Sequence, residues 1–243
     1  MASDTHSHEY PAGYEPHIGV SRQYWRDIIL GVNDGLVSMF LLVVGVVGAG
    51  LTSDQVLVTA VAAAIAGAVS MAAGEYLATK SQVEILDAEL TLEKTHIRDF
   101  RESEVAQLRG FFEDMGVADE DLEGVVAAVS RSDETLLNAM ASLEFGVVES
   151  ERRSPYRAMF VSGFLFLVGS LTSVIPFLTL ESTTAALTWA AVLSMAGLFV
   201  VGVAKARVAN GSLFKAGAEN MVIAGIGGLI AWFIGDAMGG ILT

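Results

Sequence analysis

The 243-residue sequence contains no cysteine, and basic residues are scarce, with 14 Lys and Arg against 28 Asp and Glu. Without cysteine the chain can form no disulfide, no thiolate metal site and no cysteine nucleophile. The net charge of −14 argues against nucleic acid as a partner, because phosphates need a basic protein surface. An acidic balance fits cationic partners, although it also fits a plain solubility role.

Charge is nearly absent from five long stretches that lie on both sides of a polar middle region. Each is about 20 residues long, which matches the hydrocarbon core of a lipid bilayer. No buried soluble core requires several such stretches in one small chain. The sequence therefore predicts an all-α, polytopic integral membrane protein with five transmembrane helices, at about residues 28–51, 56–79, 156–178, 184–206 and 216–241.

The basic residues predict the orientation, because Lys and Arg remain on the cytoplasmic side of a membrane. They precede the first span, occupy the middle region, and flank the loop between the fourth and fifth spans. With five spans, every Lys and Arg falls on the same side of the membrane. The N-terminus and the middle region are therefore predicted to be cytoplasmic and the C-terminus to lie on the far side.

The predicted domains follow from these spans. Residues 1–26 are expected to be a disordered tail without a secretory signal, and residues 27–79 to form the first two transmembrane helices. Residues 80–154 predict a cytoplasmic domain of three helices, the first continuing unbroken from the second span to about residue 114. The second helix is expected at about 120–129, and the third from the N-cap Ser132 to about 151. Residues 155–243 predict transmembrane helices three to five.

Three residues inside the spans indicate a functional role, because polar groups within a membrane are costly. Asp34 lies about two turns into the first span, and Met71 and Glu75 lie four apart on one face of the second. Carboxylate oxygens with a thioether sulfur suit a softer transition ion such as ferrous iron better than magnesium or calcium. Carboxylates can also carry protons. A purely structural role is the alternative, and for Glu219 the alternative is stabilisation by the helix dipole.

The middle region predicts a second metal-binding cluster. Glu89, Glu93 and His96 flank the apolar stripe of its first helix, and Glu104 falls on nearly the same line. Glu144 lies within the apolar face of the third helix, one turn after Met140. A carboxylate there must be paired, protonated or bound to a cation. The predicted ligands are therefore Glu89, Glu93, His96, Glu104, Met140 and Glu144, and the alternative is an ion pair of Glu144 with Lys94, Arg98 or Arg101.

Catalysis is not predicted. Glu93 and His96 form an E-x-x-H pair like those of carboxylate di-iron bundles, but such centres need two pairs and further glutamates on four helices. No Ser/His/Asp arrangement or phosphate-binding loop is present, and no tightly bound cofactor is expected. The spans are rich in small residues, which indicates close helix packing, either within one subunit or at a dimer interface.

Three motifs resemble the vacuolar iron transporter family, particularly its prokaryotic members. They are "DGLVS" in the first span, "GAVSMAAGEYLATKSQ" leaving the second, and "MASLEFG" closing the middle domain. The resemblance covers about residues 26–240. It implies an all-helical homodimer in a prokaryotic cell membrane that exports Fe²⁺, and often Mn²⁺, from the cytoplasm in exchange for protons.

The resemblance also implies roles for individual residues. Asp34 and Met71 match the family's pathway aspartate and methionine, and Met140 and Glu144 match metal-binding residues of the domain. The family's paired methionines are here Met140 and Ala141, so that one sulfur ligand is missing. Only one glutamate of each of its two glutamate pairs is kept, Glu93 and Glu104. The other position of each pair is occupied by His96 and Gln107 respectively. The alternative function is a membrane-anchored metal-storage or metal-sensing module that does not transport.

Overall fold

A computed structural model describes residues 21–146 and 153–242, with side chains described for 25–146 and 153–241. These residues form eight α-helices and contain no β-strand, which confirms the all-α prediction for the described ranges. The helices are α1 (Ser21–Gly48), α2 (Ser53–Asp99), α3 (Arg101–Asp114), α4 (Asp119–Val129), α5 (Asp133–Glu144), α6 (Pro155–Thr179), α7 (Thr183–Val208) and α8 (Leu213–Leu242).

Five of the described helices are long and apolar enough to cross a membrane, as the sequence predicts. They are α1, α2, α6, α7 and α8. The helix α2 is 47 residues long, because it continues past its apolar part into the polar middle region. We call the end of the bundle from which α2 emerges the domain end, and the opposite end the far end.

The five helices pack around α1, which contacts α2, α6, α7 and α8, while α6 also contacts α2 and α7. Glycine makes the closest approaches possible. A Cβ atom on Gly35 of α1 would overlap the backbone carbonyl of Phe166 in α6, and one on Gly235 of α8 would overlap that of Gly45. Small residues therefore serve packing within the subunit at these crossings.

The far half of the bundle is sealed by apolar side chains. Its buried cluster includes Met39 and Val43 of α1, Val56 of α2 and Phe177 of α6. Val43 and Val56 are fully inaccessible to solvent. Apolar side chains of α1, α2 and α6 therefore fill the space between these helices in the far half of the bundle.

The middle region has an apolar core of its own, and its first helix differs from the prediction. Instead of running on to residue 114, the helix ends at Asp99, and α3 begins at Arg101 in a new direction around Phe100 (φ −134°, ψ 35°). The break lets Ile97 and Leu108 join one core with α4 and α5, whereas a continuous helix would hold them about 16 Å apart. The region thus contains four helical segments rather than three.

Two helix ends also differ from the prediction. The helix α1 begins at Ser21, so that residues 21–26 are helical rather than part of a tail. The helix α5 ends at Glu144 rather than near 151, because Gly146 adopts a positive φ of 64° that terminates it. The remainder of the predicted tail and of the predicted third helix, residues 1–20 and 147–152, lies outside the described ranges.

Candidate functional site

The three polar residues predicted from the spans line one cavity of about 430 Å³ between α1, α2 and α6. Asp34 comes from α1, and Met71 and Glu75 come from one face of α2, where residues four apart are neighbours. The structure therefore brings together all the residues that the sequence assigns to a pathway. The remaining lining residues are Ser38, Met39, Leu42, Ala63, Gly67, Ser70, Gly74 and Phe166.

Oxygen and sulfur atoms are concentrated in the domain-side part of the cavity. The Ser38 hydroxyl donates a hydrogen bond of 2.8 Å to Oδ1 of the half-buried Asp34. Ser70 precedes Met71 and adds a second hydroxyl to the lining. These are hard oxygen ligands and one soft sulfur, a set that a divalent transition ion can bind.

The cavity is closed toward the far end and open along one side. Met39 and Leu42 line its inner limit, and Met39 is part of the cluster that seals the far half. Ser38 and Ser70 line the cavity yet are exposed, so that the cavity wall is incomplete on that side.

A group of charged side chains lies where the cavity meets the domain end. Asp27 of α1 is 2% exposed and forms an ion pair with Arg153, which precedes α6. Glu75 extends to the same group, with Oε1 at 3.7 Å from an Nη2 atom of Arg26 and at 3.7 Å from that of Arg153. Glu75 therefore belongs both to the cavity and to this charged group.

The sequence reasoning did not single out Asp27 or Arg153. Asp27 lies seven residues before Asp34, and this spacing places both carboxylates on one face of α1. The sequence therefore contains a signal for Asp27. It contains none for the pairing of Asp27 with Arg153, because these residues are far apart in the chain and meet only through the packing of α1 against α6.

In the middle region, Glu93, His96 and Glu104 form a compact group. One potential ligand atom from each lies within 4.8 Å of the others. His96 Nδ1 is 3.8 Å from Oε2 of Glu93 and 3.7 Å from Oε1 of Glu104. The break at Phe100 creates this group, since residues eight apart on a continuous helix would be separated by about 12 Å along its axis.

The two carboxylates of this group are buried, Glu93 at 3% and Glu104 at 6% exposure. Burial raises the pKa of Glu93 to about 7, and the negative charges of Glu104 and Glu144 act in the same direction. Oε1 of Glu93 and Oε2 of Glu104 find no hydrogen-bond partner among the described residues. Buried, close and unpartnered carboxyl oxygens beside an imidazole form a donor set that suits a divalent transition metal.

The other predicted ligands of the domain are placed less directly. Glu89 is exposed and lies outside the group, one turn before Glu93. Met140 is fully buried in the core of the middle region. Glu144 is exposed, although its charge contributes to the raised pKa of Glu93.

The alternative ion pair of Glu144 is not formed among the described residues. Arg98 instead donates to Asp99 at 2.7 Å and 2.9 Å. Arg101 pairs with Asp133 and donates to the Ser130 carbonyl at 2.6 Å. These contacts connect α2 and α3 to the start of α5, and the charge of Glu144 acts instead on Glu93.

Two asparagines have a structural role near the cavity. The Asn220 amide of α8 donates to the Leu198 carbonyl at 3.3 Å and to Asn33 Oδ1 at 3.5 Å. This contact joins α1, α7 and α8. The neighbouring Glu219 is exposed and does not line the cavity.

Comparison with known proteins matches nearly the whole chain to one family. A family model described as "VIT family" covers residues 25–236. Vacuolar iron transporter 2 of Oryza sativa subsp. japonica is 30% identical over 216 residues, which are 88% of this chain and 87% of that protein. Vacuolar iron transporter 1 of Eucalyptus grandis is 28% identical over 213 residues, 88% of this chain and 86% of that protein. The vacuolar iron transporter of Toxoplasma gondii is 25% identical over 233 residues, 92% of this chain and 77% of that protein.

Proposed function

The chain belongs to the VIT family, and from that premise we propose that it exports Fe²⁺, and also Mn²⁺, from the cytoplasm in exchange for protons. Membership and the names of the relatives support metal-ion transport. The single observation that carries the finer proposal is the cavity in which Asp34, Met71 and Glu75 meet.

In this mechanism the cavity is the translocation site. Asp34 and Glu75 supply anionic oxygens that replace part of the ion's hydration shell, and Met71 supplies a sulfur that favours a softer ion. The apolar cluster at the far end prevents leakage until the helices rearrange. When the ion leaves, the vacated carboxylates can accept protons from the far side and return them, which couples the two fluxes.

The Glu93–His96–Glu104 group would act as the capture site of a cytoplasmic domain. Its position on α2, the helix that also carries Met71 and Glu75, supports delivery of ions along one helix to the cavity. The concentration of basic residues at the domain end supports a cytoplasmic orientation. Two carboxylates and one imidazole form a donor set that can bind both Fe²⁺ and Mn²⁺.

We include a homodimer in the proposal. The support is the open side of the cavity, where Ser38 and Ser70 are exposed within apolar helices. A second copy placed against α2 would cover these hydroxyls and complete the wall of the pathway. A prokaryotic cell membrane is the proposed location.

The test is metal flux into proteoliposomes with and without a pH gradient. We expect flux in the wild type that increases when the gradient favours proton exchange, and strong loss in Asp34→Ala and Met71→Ala. Matched controls are Asp236→Ala and Met238→Ala in α8, both exposed and outside the cavity. Metal binding without any wild-type flux would favour the storage or sensing alternative, and wild-type flux in both cavity variants would refute the pathway.

A further inference from the structure

The Asp27–Arg153 ion pair lies almost out of reach of solvent. The side chains are 3% and 9% exposed respectively. Removing an acidic and a basic group from water is costly, and the cost is recovered only when the two are held in good mutual geometry. A pair of this kind at the domain end of the cavity therefore needs an explanation beyond stability, since apolar residues could fill the same space.

Glu75 provides that explanation, because its carboxylate lies near the Arg153 guanidinium of the ion pair. Its carboxylate oxygen lies 3.7 Å from the guanidinium of Arg153 and 3.7 Å from that of Arg26. The four side chains carry two negative and two positive charges. Arg26 is largely exposed, at 58%, so the Arg153 guanidinium is the less screened of the two counter-charges.

The local structure fixes Arg153 in this position. It directly precedes Ser154, the N-cap of α6, whose hydroxyl accepts a hydrogen bond of 3.4 Å from the backbone N–H of Arg157. Asp27 lies in α1, so that the ion pair ties the start of α6 to α1 while Glu75 approaches from α2. Arg153 thus stands where the chain from α5 enters the membrane-spanning bundle.

We propose that Arg153, held by Asp27, is a positioning residue for Glu75 and supplies the counter-charge that a divalent cation must replace as it passes the domain end of the cavity. The assignment rests on the proposed transport function. With Arg153 in place, Glu75 is oriented and partly neutralised, so that it binds a passing ion weakly enough to release it. Without the guanidinium, the carboxylate attracts a cation more strongly and retains it.

The experiment measures initial rates of Mn²⁺ uptake into proteoliposomes over a range of concentrations. We expect Arg153→Gln to lower KM by about tenfold, equivalent to about 1.4 kcal/mol, and to lower the maximal rate. Arg153→Lys keeps the charge and should have a KM close to that of the wild type. Arg207→Gln, which removes an exposed charge at the same end of the bundle, is the matched control and should leave both constants unchanged.

The decisive comparison repeats Arg153→Gln in a Glu75→Gln background. If Arg153 acts through Glu75, Arg153→Gln does not change KM in the Glu75→Gln background, as a double-mutant cycle requires. Asp27 also pairs with Arg26, at 3.3 Å. The Asp27→Asn/Arg153→Gln double variant removes one charge of each sign, keeps the net charge of the group and covers the case in which Arg153→Gln does not fold; it should show the same low KM.

Each remaining outcome overturns the assignment. An unchanged KM in the folded Arg153→Gln and double variants would show that the guanidinium does not act on the ion. An equal change with and without Glu75 would show that Arg153 acts elsewhere. Absence of wild-type flux above empty liposomes would remove the transport function itself, and the assignment with it.

Discussion

Nδ1 of His96 lies 3.7 Å from Oε1 of Glu104 across the break between α2 and α3. The two residues come from different helices, and only the change of direction at Phe100 lets them meet. Glu93, one turn before Ile97 on α2, completes the group from the same side as His96. The geometry of this candidate capture site is therefore set by the fold of the middle region rather than by one helical face.

Metal binding by this group is expected to weaken as the pH falls below about 7. The pKa of Glu93 is raised to about 7, so that at lower pH a metal ion must displace a proton from it. Affinity should fall by up to about tenfold per pH unit in this range for one displaced proton. Calorimetry of the detergent-solubilised chain with Mn²⁺ at several pH values measures this. Glu102→Gln, an exposed acid of α3, is the control for Glu93→Gln; a pH-independent affinity would contradict the prediction.

The same carboxyl makes the metal-free protein less stable as the pH rises. Its pKa in the folded protein, about 7, is above the ordinary value of 4.5. The unfolded chain therefore loses the proton first, and folding stability declines as the pH increases through this interval. Glu93→Gln should raise the melting temperature of the metal-free protein at pH 8 and have little effect near pH 4. An equal shift at both pH values would indicate a packing effect instead.

Some of the site could be predicted from sequence, for a definite physical reason. Span length predicts the depth of Asp34 in the membrane, and the spacing of Met71 and Glu75 places both on one helical face. The meeting of these residues in one cavity follows once α1 and α2 are neighbours, which the short connection between them favours. Their roles in transport remain predictions.

Other features depend on tertiary contacts that leave no local signal. The break at Phe100 occurs without glycine or proline, because the shared core of Ile97 and Leu108 outweighs the preference for a continuous helix. The ion pair of Asp27 with Arg153 likewise requires the packing of α1 against α6. Periodicity identifies which face of a helix is buried, and it does not identify the residue that lies opposite.

Gly35→Ala should destabilise the bundle. The added methyl group would overlap the Phe166 carbonyl, and backbone atoms of α1 and α6 cannot move apart without disturbing the cavity. Overpacking of this kind costs about 1–3 kcal/mol. Thermal unfolding in detergent measures it. Gly225→Ala in α8 is the matched control, because nothing lies within 4 Å of its added carbon. Equal melting temperatures for the two variants would refute the close approach.

The proposed orientation can be tested with single cysteines, since the natural sequence has none to interfere. Ser103 in α3 and Glu181 between α6 and α7 are exposed at opposite ends of the bundle. In intact cells a membrane-impermeant maleimide should label Glu181→Cys and leave Ser103→Cys unlabelled until the cells are lysed. The cysteine-free parent controls for background. Labelling of Ser103→Cys in intact cells would place the middle region outside the cytoplasm.

Met71 is expected to set the preference among divalent ions rather than the overall rate. Its thioether lines the cavity together with Asp34 and Glu75, whereas that of Met39 belongs to the buried apolar cluster, and Mn²⁺ gains less from sulfur than Fe²⁺ does. Met71→Leu preserves the volume of the side chain but removes the sulfur.

The ratio of Fe²⁺ to Mn²⁺ transport should therefore fall in this variant, whereas Asp34→Asn should reduce both ions together, because a carboxylate attracts either. Competition between the two ions under anaerobic conditions in proteoliposomes measures the ratio directly. Met238→Leu, on the exposed face of α8, controls for loss of a sulfur elsewhere in the bundle. A ratio that is unchanged in Met71→Leu would mean that Met71 contributes packing to the cavity and no ligand to the ion.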